Sequence, residues 1–146
     1  MSQFAFDYLL LVFVSSLAAI QIAATFGGLH GLLFVKHTLV TRALGGLAIT
    51  AVFIWFFADE PRNINDYKGG LDANYQGILF CYGSLAAVAV TLAASSLVNR
   101  RMRDGEAPPD EGFDALRKTS YYSALKVILV FWWRNWPTRM KQYFFG

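Results

Sequence analysis

His30 and His37 are the only two histidines of the chain, and their spacing limits the chemistry they could share. On one helix they would lie on the same face about 10 Å apart along the axis, too far to ligate one iron from both sides. A b-type haem would therefore need one of them together with a ligand from another chain or a second copy. His30 lies between glycines that would admit a macrocycle, so it is our candidate residue for haem or quinone, with His37 and Arg42 as further residues that could take part. A structural or interfacial role is the simpler expectation for both histidines.

Residue sets typical of catalysis are missing from the sequence. It contains no His-Glu-x-x-His, Gly-x-Ser-x-Gly, phosphate-binding loop or Cys-x-x-Cys motif. Cys81 is the single cysteine, which excludes an intramolecular disulfide, and we expect it to be a small packing residue. Asp7 is the acid near an apolar segment and lies at its outer end, whereas ion carriers usually need an ionisable group at membrane depth. We therefore expect a non-catalytic chain with no metal site and no resident cofactor.

Three apolar stretches must position these residues, and they run about 4–35, 39–58 and 77–98. Each is long enough to cross the ~30 Å hydrocarbon core of a bilayer, which takes about 20 helical residues. Only 16% of the residues are charged, against about 25% in a typical soluble domain. The sequence predicts an all-α integral membrane protein, with three transmembrane helices in a domain over residues 1–99 and an outer loop over 59–76.

Positive charge is concentrated on one side of these predicted spans. The basic residues of the first connection and of the region after the third span are Lys36, His37, Arg42, Arg100, Arg101 and Arg103. The loop over 59–76 is acidic instead. Because basic loops tend to face the cytoplasm, we expect a multi-pass plasma-membrane protein with its N-terminus outside and its C-terminus in the cytoplasm.

Small residues recur at every fourth position in the first and third stretches. The first stripe comprises Ser15, Ala19, Ala23, Gly27 and Gly31, and the second comprises Gly83, Ala87, Thr91 and Ser95. Residues four apart share a helix face, and small residues there allow two membrane helices to approach closely. We expect both stripes to pack helices, either against each other or against a helix of another protein.

The C-terminal third is expected to stay outside the hydrocarbon core. Residues 100–118 contain two prolines and two glycines and are predicted to form a flexible cytoplasmic linker. Thr119 or Ser120 can cap the helix that follows, whose apolar run is too short to span a bilayer. Over residues 119–146 this predicts an amphipathic helix in the membrane interface, anchored by Trp132, Trp133, Arg134, Trp136 and Arg139. Packing on a partner's cytoplasmic domain is the rival interpretation, and lipid is a better partner than nucleic acid.

The size and three-helix layout are similar to those of small membrane-anchor subunits of respiratory enzymes, such as succinate dehydrogenase anchors. This resemblance covers architecture only, and it transfers no haem or quinone residue to this chain. Our first hypothesis is a non-catalytic accessory or anchor subunit that packs its small-residue stripes within a larger membrane complex, as part of a hetero-oligomer. The alternatives are a respiratory anchor that binds haem or quinone at His30, and a self-assembling homo-oligomeric membrane protein.

Overall fold

A computed structural model describes residues 3–58, 73–99, 117, 119–123, 125–126 and 129–130. It contains helix α1 (Gln3–Gly27), a short 3₁₀ turn (His30–Leu32), helix α2 (Thr38–Phe57) and helix α3 (Ala73–Val98). No strand occurs within this described part. All three helices are long and apolar enough to cross a membrane. For the described residues, the predictions of an all-helical fold and of three helices that could span a membrane are confirmed.

The first helix ends at Gly27, eight residues before the predicted end of its span at Val35. Gly28 has a φ of 66°, a left-handed conformation that favours glycine, and the Leu29 N–H then bonds the Ala24 carbonyl at 2.9 Å. This is the Schellman arrangement that terminates many helices. Apolar residues continue beyond it because the connection over 28–37 is itself partly buried. Helix α1 itself therefore ends before the predicted end of its span, and the chain turns at Gly28.

Helix α1 lies between the other two helices and packs along both, whereas α2 and α3 do not pack extensively on each other. The α1–α2 pair is antiparallel, because Phe4 contacts Phe56 at one end while Thr25 contacts Arg42 at the other. The two helices therefore form a hairpin. On the other side of α1, the hydroxyls of Ser16 and Ser84 lie 3.3 Å apart.

Close helix approach depends on two glycines. A Cβ at Gly83 would lie 2.9 Å from Cγ1 of Val12, and one at Gly45 would lie 2.7 Å from Cγ1 of Ile22. Real Cβ atoms essentially never come this close to another heavy atom, so only glycine fits without displacing a neighbour. The two glycines thus set the spacing of α3 and α2 against α1.

Buried side chains gather near both ends of the three-helix arrangement. One cluster joins Leu11 of α1 to Val52 and Phe56 of α2, with Phe4 and Tyr8 packed against it. Several of its rings make tilted or edge contacts, a favourable geometry for aromatic pairs.

The second cluster lies near the other end. It joins Ala24 of α1 to Leu32 and Leu33 of the first connection, and it includes Leu92 of α3 and Tyr121. The connection between α1 and α2 is therefore part of the packed structure.

Candidate functional site

Two amide side chains hold the connection between α1 and α2. Gln21 donates from Nε2 to the Leu32 carbonyl at 3.0 Å, and its Oε1 accepts from the Phe34 N–H at 3.0 Å. Asn99, directly after α3, donates from Nδ2 to the carbonyls of Gly31 at 3.2 Å and Leu33 at 2.9 Å. Buried backbone groups outside a regular helix need side-chain partners, because no helical hydrogen bond satisfies them. We call this pair the amide clamp.

The sequence gives a signal for only one of the two residues of the amide clamp. Gln21 can be singled out in the sequence because it is an amide within an apolar span, where amides usually bond a neighbouring helix. In the structure it bonds the connection. Asn99 carries no signal in the sequence beyond its place after a span, although it is only 1% exposed.

The residues that follow the linker return to this same end of the molecule. Ser120 is buried and its Oγ accepts from the Ser123 N–H at 3.3 Å, which is the capping role predicted for it. Tyr121 packs beside Leu32 and Leu33. Residues 121–123, 125–126 and 129–130 are helical. The five predicted interface anchors, Trp132, Trp133, Arg134, Trp136 and Arg139, lie outside the described residues, as do 59–72 of the outer loop and 100–116 of the linker.

Arg42 of α2 is tied to α1 by two contacts. Its Nε donates to Oγ1 of Thr25 at 2.8 Å, and its guanidinium carbon lies 4.0 Å from the ring centroid of Phe26. Thr25 in turn donates to the carbonyl of Ile22 at 2.7 Å, which turns a hydroxyl lone pair toward Arg42. A cation held over an aromatic face in this way is oriented as well as stabilised.

The two histidines do not share a helix, which corrects the geometry expected from their spacing. His30 begins the 3₁₀ turn, and His37 is the N-cap of α2, where its Nδ1 accepts from the Val40 N–H at 3.4 Å. Both are exposed. Among the described residues, no group of three His, Cys, Asp or Glu side chains could hold a metal ion. Cys81 is also exposed on α3 and is not the buried packing residue that we expected.

The two small-residue stripes have different surroundings. On α3, Gly83, Ala87, Thr91 and Ser95 are all buried. On α1, Ser15 is half-buried, while Ala19, Ala23 and Gly27 are exposed. Gly31 lies outside α1, where its carbonyl accepts from Asn99. At Gly83 and Ser84, the α1 residues that face α3 are Val12 and Ser16, which do not belong to the α1 stripe.

An apolar groove lies between the first half of α1 and the start of α3. Its volume is about 480 Å³, and it is lined by Leu9, Phe13, Tyr75, Ile78, Leu79, Tyr82, Gly83 and Ala86. None of these residues carries a charge, and the hydroxyls of Tyr75 and Tyr82 are the polar side-chain groups of this lining.

No family model, curated protein or solved structure matches this chain. Its function must therefore be inferred from its own residues and their contacts.

Proposed function

We propose that this chain is a non-catalytic accessory or anchor subunit of a larger membrane protein complex. The observation that carries this proposal is the exposure of Ala19, Ala23 and Gly27 on α1, while the corresponding residues of α3 are buried within the chain. In this interpretation, one small-residue stripe folds the chain and the other receives a partner. The chain contributes packing surface to the complex rather than a reaction.

The physical argument compares the size of the exposed side chains on the three helices, because small side chains allow a closer approach. Membrane helices gain little from burying apolar side chains that lipid already solvates, and they associate through close backbone contact. Exposed side chains of α2 and α3 are mostly large, among them Leu39, Leu44, Leu47, Ile54, Ile78, Phe80, Tyr82, Leu85 and Leu97. The stripe over Ala19, Ala23 and Gly27 is a low strip beside them. A helix of another chain would approach α1 most closely there.

Membrane orientation is the second part of the proposal. The end held by the amide clamp adjoins the basic residues Lys36 and Arg42 and leads on to Arg100 and Arg101. The charge rule favours the cytoplasm for this end, in a plasma membrane. A partner with a cytoplasmic domain could then also contact the segment that begins at Ser120.

Purification from native membranes in a mild detergent tests the proposal. We expect the tagged chain to co-purify with larger chains in fixed ratio, and the double variant Ala19→Leu, Ala23→Leu to lose them. Ala89→Leu is the matched control, because Ala89 is a similarly exposed alanine on α3. Recovery of the wild-type chain with no other chain, or equal loss in the control, would contradict the proposal.

Self-assembly is the second candidate, because the same exposed stripe of α1 could pack against its own copy. The same preparation separates the two candidates by mass. A single oligomer that contains only this chain, and that Ala23→Leu dissociates, would favour the homo-oligomer.

A further inference from the structure

The side chain of Arg42 is held in one orientation, yet most of its N–H donors make no hydrogen bond with the described residues. Its side chain is half-buried and is fixed by Thr25 at 2.8 Å and by the Phe26 ring at 4.0 Å. Thr25 is itself buried and bonded to the carbonyl of Ile22. The guanidinium therefore has a defined orientation before any ligand arrives.

Its two terminal nitrogens make no hydrogen bond or ion pair with the described residues. Arginine presents five N–H donors, and Thr25 uses only the one on Nε. The planar fork formed by the remaining donors matches the spacing of phosphate oxygens and can bind them bidentately. An oriented, half-desolvated fork is a better anion receptor than a mobile surface cation, because less conformational entropy is lost on binding.

The surroundings of the fork indicate where the anion comes from. Arg42 lies in the second turn of a helix that can cross a membrane, close to the end of α1, so it sits near the boundary of the hydrocarbon core. Lys36 and His37 are exposed in the adjoining connection. Phe26, 71% exposed, offers apolar surface directly beneath the guanidinium. A phosphate that carries acyl chains fits both surfaces, whereas a free ion would use only one.

We propose that Arg42 binds the phosphate of an anionic phospholipid headgroup, with Thr25 orienting the guanidinium, Lys36 adding positive charge and Phe26 lying beside the acyl chains. This site does not depend on the accessory-subunit proposal, since it involves only this chain and the bilayer. It would fix the depth of the α1–α2 hairpin in one leaflet.

Native mass spectrometry of the full chain in detergent tests the site, with phosphatidylglycerol and phosphatidylcholine added in titration. We expect the wild-type chain to retain phosphatidylglycerol preferentially. Arg42→Gln should weaken that binding by about fivefold, the factor for one cation at an anionic surface, and Arg42→Lys should restore only part of it. Thr25→Val keeps every charge, so a weaker affinity in that variant would report lost orientation.

The control is Lys68→Gln, which removes a cation that lies in the sequence between α2 and α3 and outside the α1–α2 hairpin. Equal weakening in this control and in Arg42→Gln would mean diffuse attraction and would overturn the proposal. Unchanged binding in both Arg42→Gln and Thr25→Val would also overturn it. Displacement of the lipid by inorganic phosphate at equal concentration would show a receptor for free anions instead. Circular dichroism checks whether each variant is folded, and Thr25→Val keeps the test decisive if Arg42→Gln does not fold.

Discussion

The side-chain amide of Asn99 lies 2.9 Å from the carbonyl oxygen of Leu33, and this hydrogen bond joins the end of α3 to the connection between α1 and α2. The two residues are 66 positions apart in sequence and both are almost fully buried. Since α2 and α3 pack on opposite sides of α1 without extensive contact of their own, this bond is a direct tie from α3 to the hairpin. The stability of the clamped end should therefore depend on Asn99 more than its small size suggests.

Replacement of Asn99 by Ala is expected to destabilise the chain by about 1–2 kcal/mol, because two buried carbonyls lose their donor. The midpoint of thermal unfolding in detergent, followed by circular dichroism, measures the effect. Asn99→Asp should be at least as harmful, since a carboxylate offers no N–H and places oxygen against the carbonyls of Gly31 and Leu33. Equal stability of wild type and Asn99→Asp would show that the hydrogen bonds contribute nothing.

Gln21→Leu tests the other member of the amide clamp. The substitution keeps an apolar helix but leaves the Leu32 carbonyl and the Phe34 N–H without their partner, so we expect a loss of about 1–3 kcal/mol. Gln3→Leu is the matched control, because Gln3 is exposed at the start of the same helix. Hydrogen exchange at the Phe34 amide should rise in Gln21→Leu and not in the control. Unchanged protection of that amide would contradict the proposed restraint.

Gly83→Ala is expected to destabilise the packing of α3 on α1. The added methyl group would meet Cγ1 of Val12 at 2.9 Å and its Cβ at 3.1 Å, and a β-branched side chain has little rotamer freedom to move away. Overpacking typically costs about 1–3 kcal/mol, from which the better helix propensity of alanine subtracts up to about 1 kcal/mol. The midpoint of thermal unfolding in detergent should fall accordingly.

Gly77→Ala is the control on the same helix, since a Cβ at Gly77 has no atom within 4 Å. Its stability should be unchanged or slightly raised. If the clash is the cause, Val12→Ala combined with Gly83→Ala should recover part of the loss, and the double-mutant cycle should give a coupling energy between the two sites. Strict additivity of the two substitutions would argue against the clash.

Hydropathy and length were sufficient to find the three long helices, because crossing a bilayer requires about 20 apolar residues in helical form. They could not locate the end of α1, since residues beyond Gly28 stay apolar while the backbone leaves the helix. Hydropathy measures the preference of side chains for an apolar medium and gives no information about the backbone angle φ. Glycine at position 28 is the residue that marks this end, because glycine readily adopts the left-handed φ found there. Because α1 ends at Gly27, His30 and His37 do not share a helix face, contrary to the geometry expected from their spacing.

The stripes show a second limit of sequence patterns. A repeat of four establishes that residues share a face of a helix, and it does so equally for Ala23 and Ala87. Whether that face points inward depends on which helices are neighbours, and in this chain the central position of α1 decides it. The amide clamp lies beyond sequence reasoning for the same reason, since the partners of Gln21 and Asn99 are backbone atoms of a connection whose path is set by tertiary packing.

The final prediction concerns what faces Ala23 in native membranes. Ala23 is exposed on α1, whereas Ala87 on α3 is 0% exposed. A diazirine amino acid incorporated in place of Ala23 should, on illumination, give a crosslinked product heavier than the chain by the mass of a different protein. The same side chain in place of Ala87 should give no crosslink to another chain, because that position is covered by the chain itself. A product of twice the chain's own mass from position 23 would instead establish self-assembly, and lipid adducts alone would mean that the exposed stripe has no protein partner.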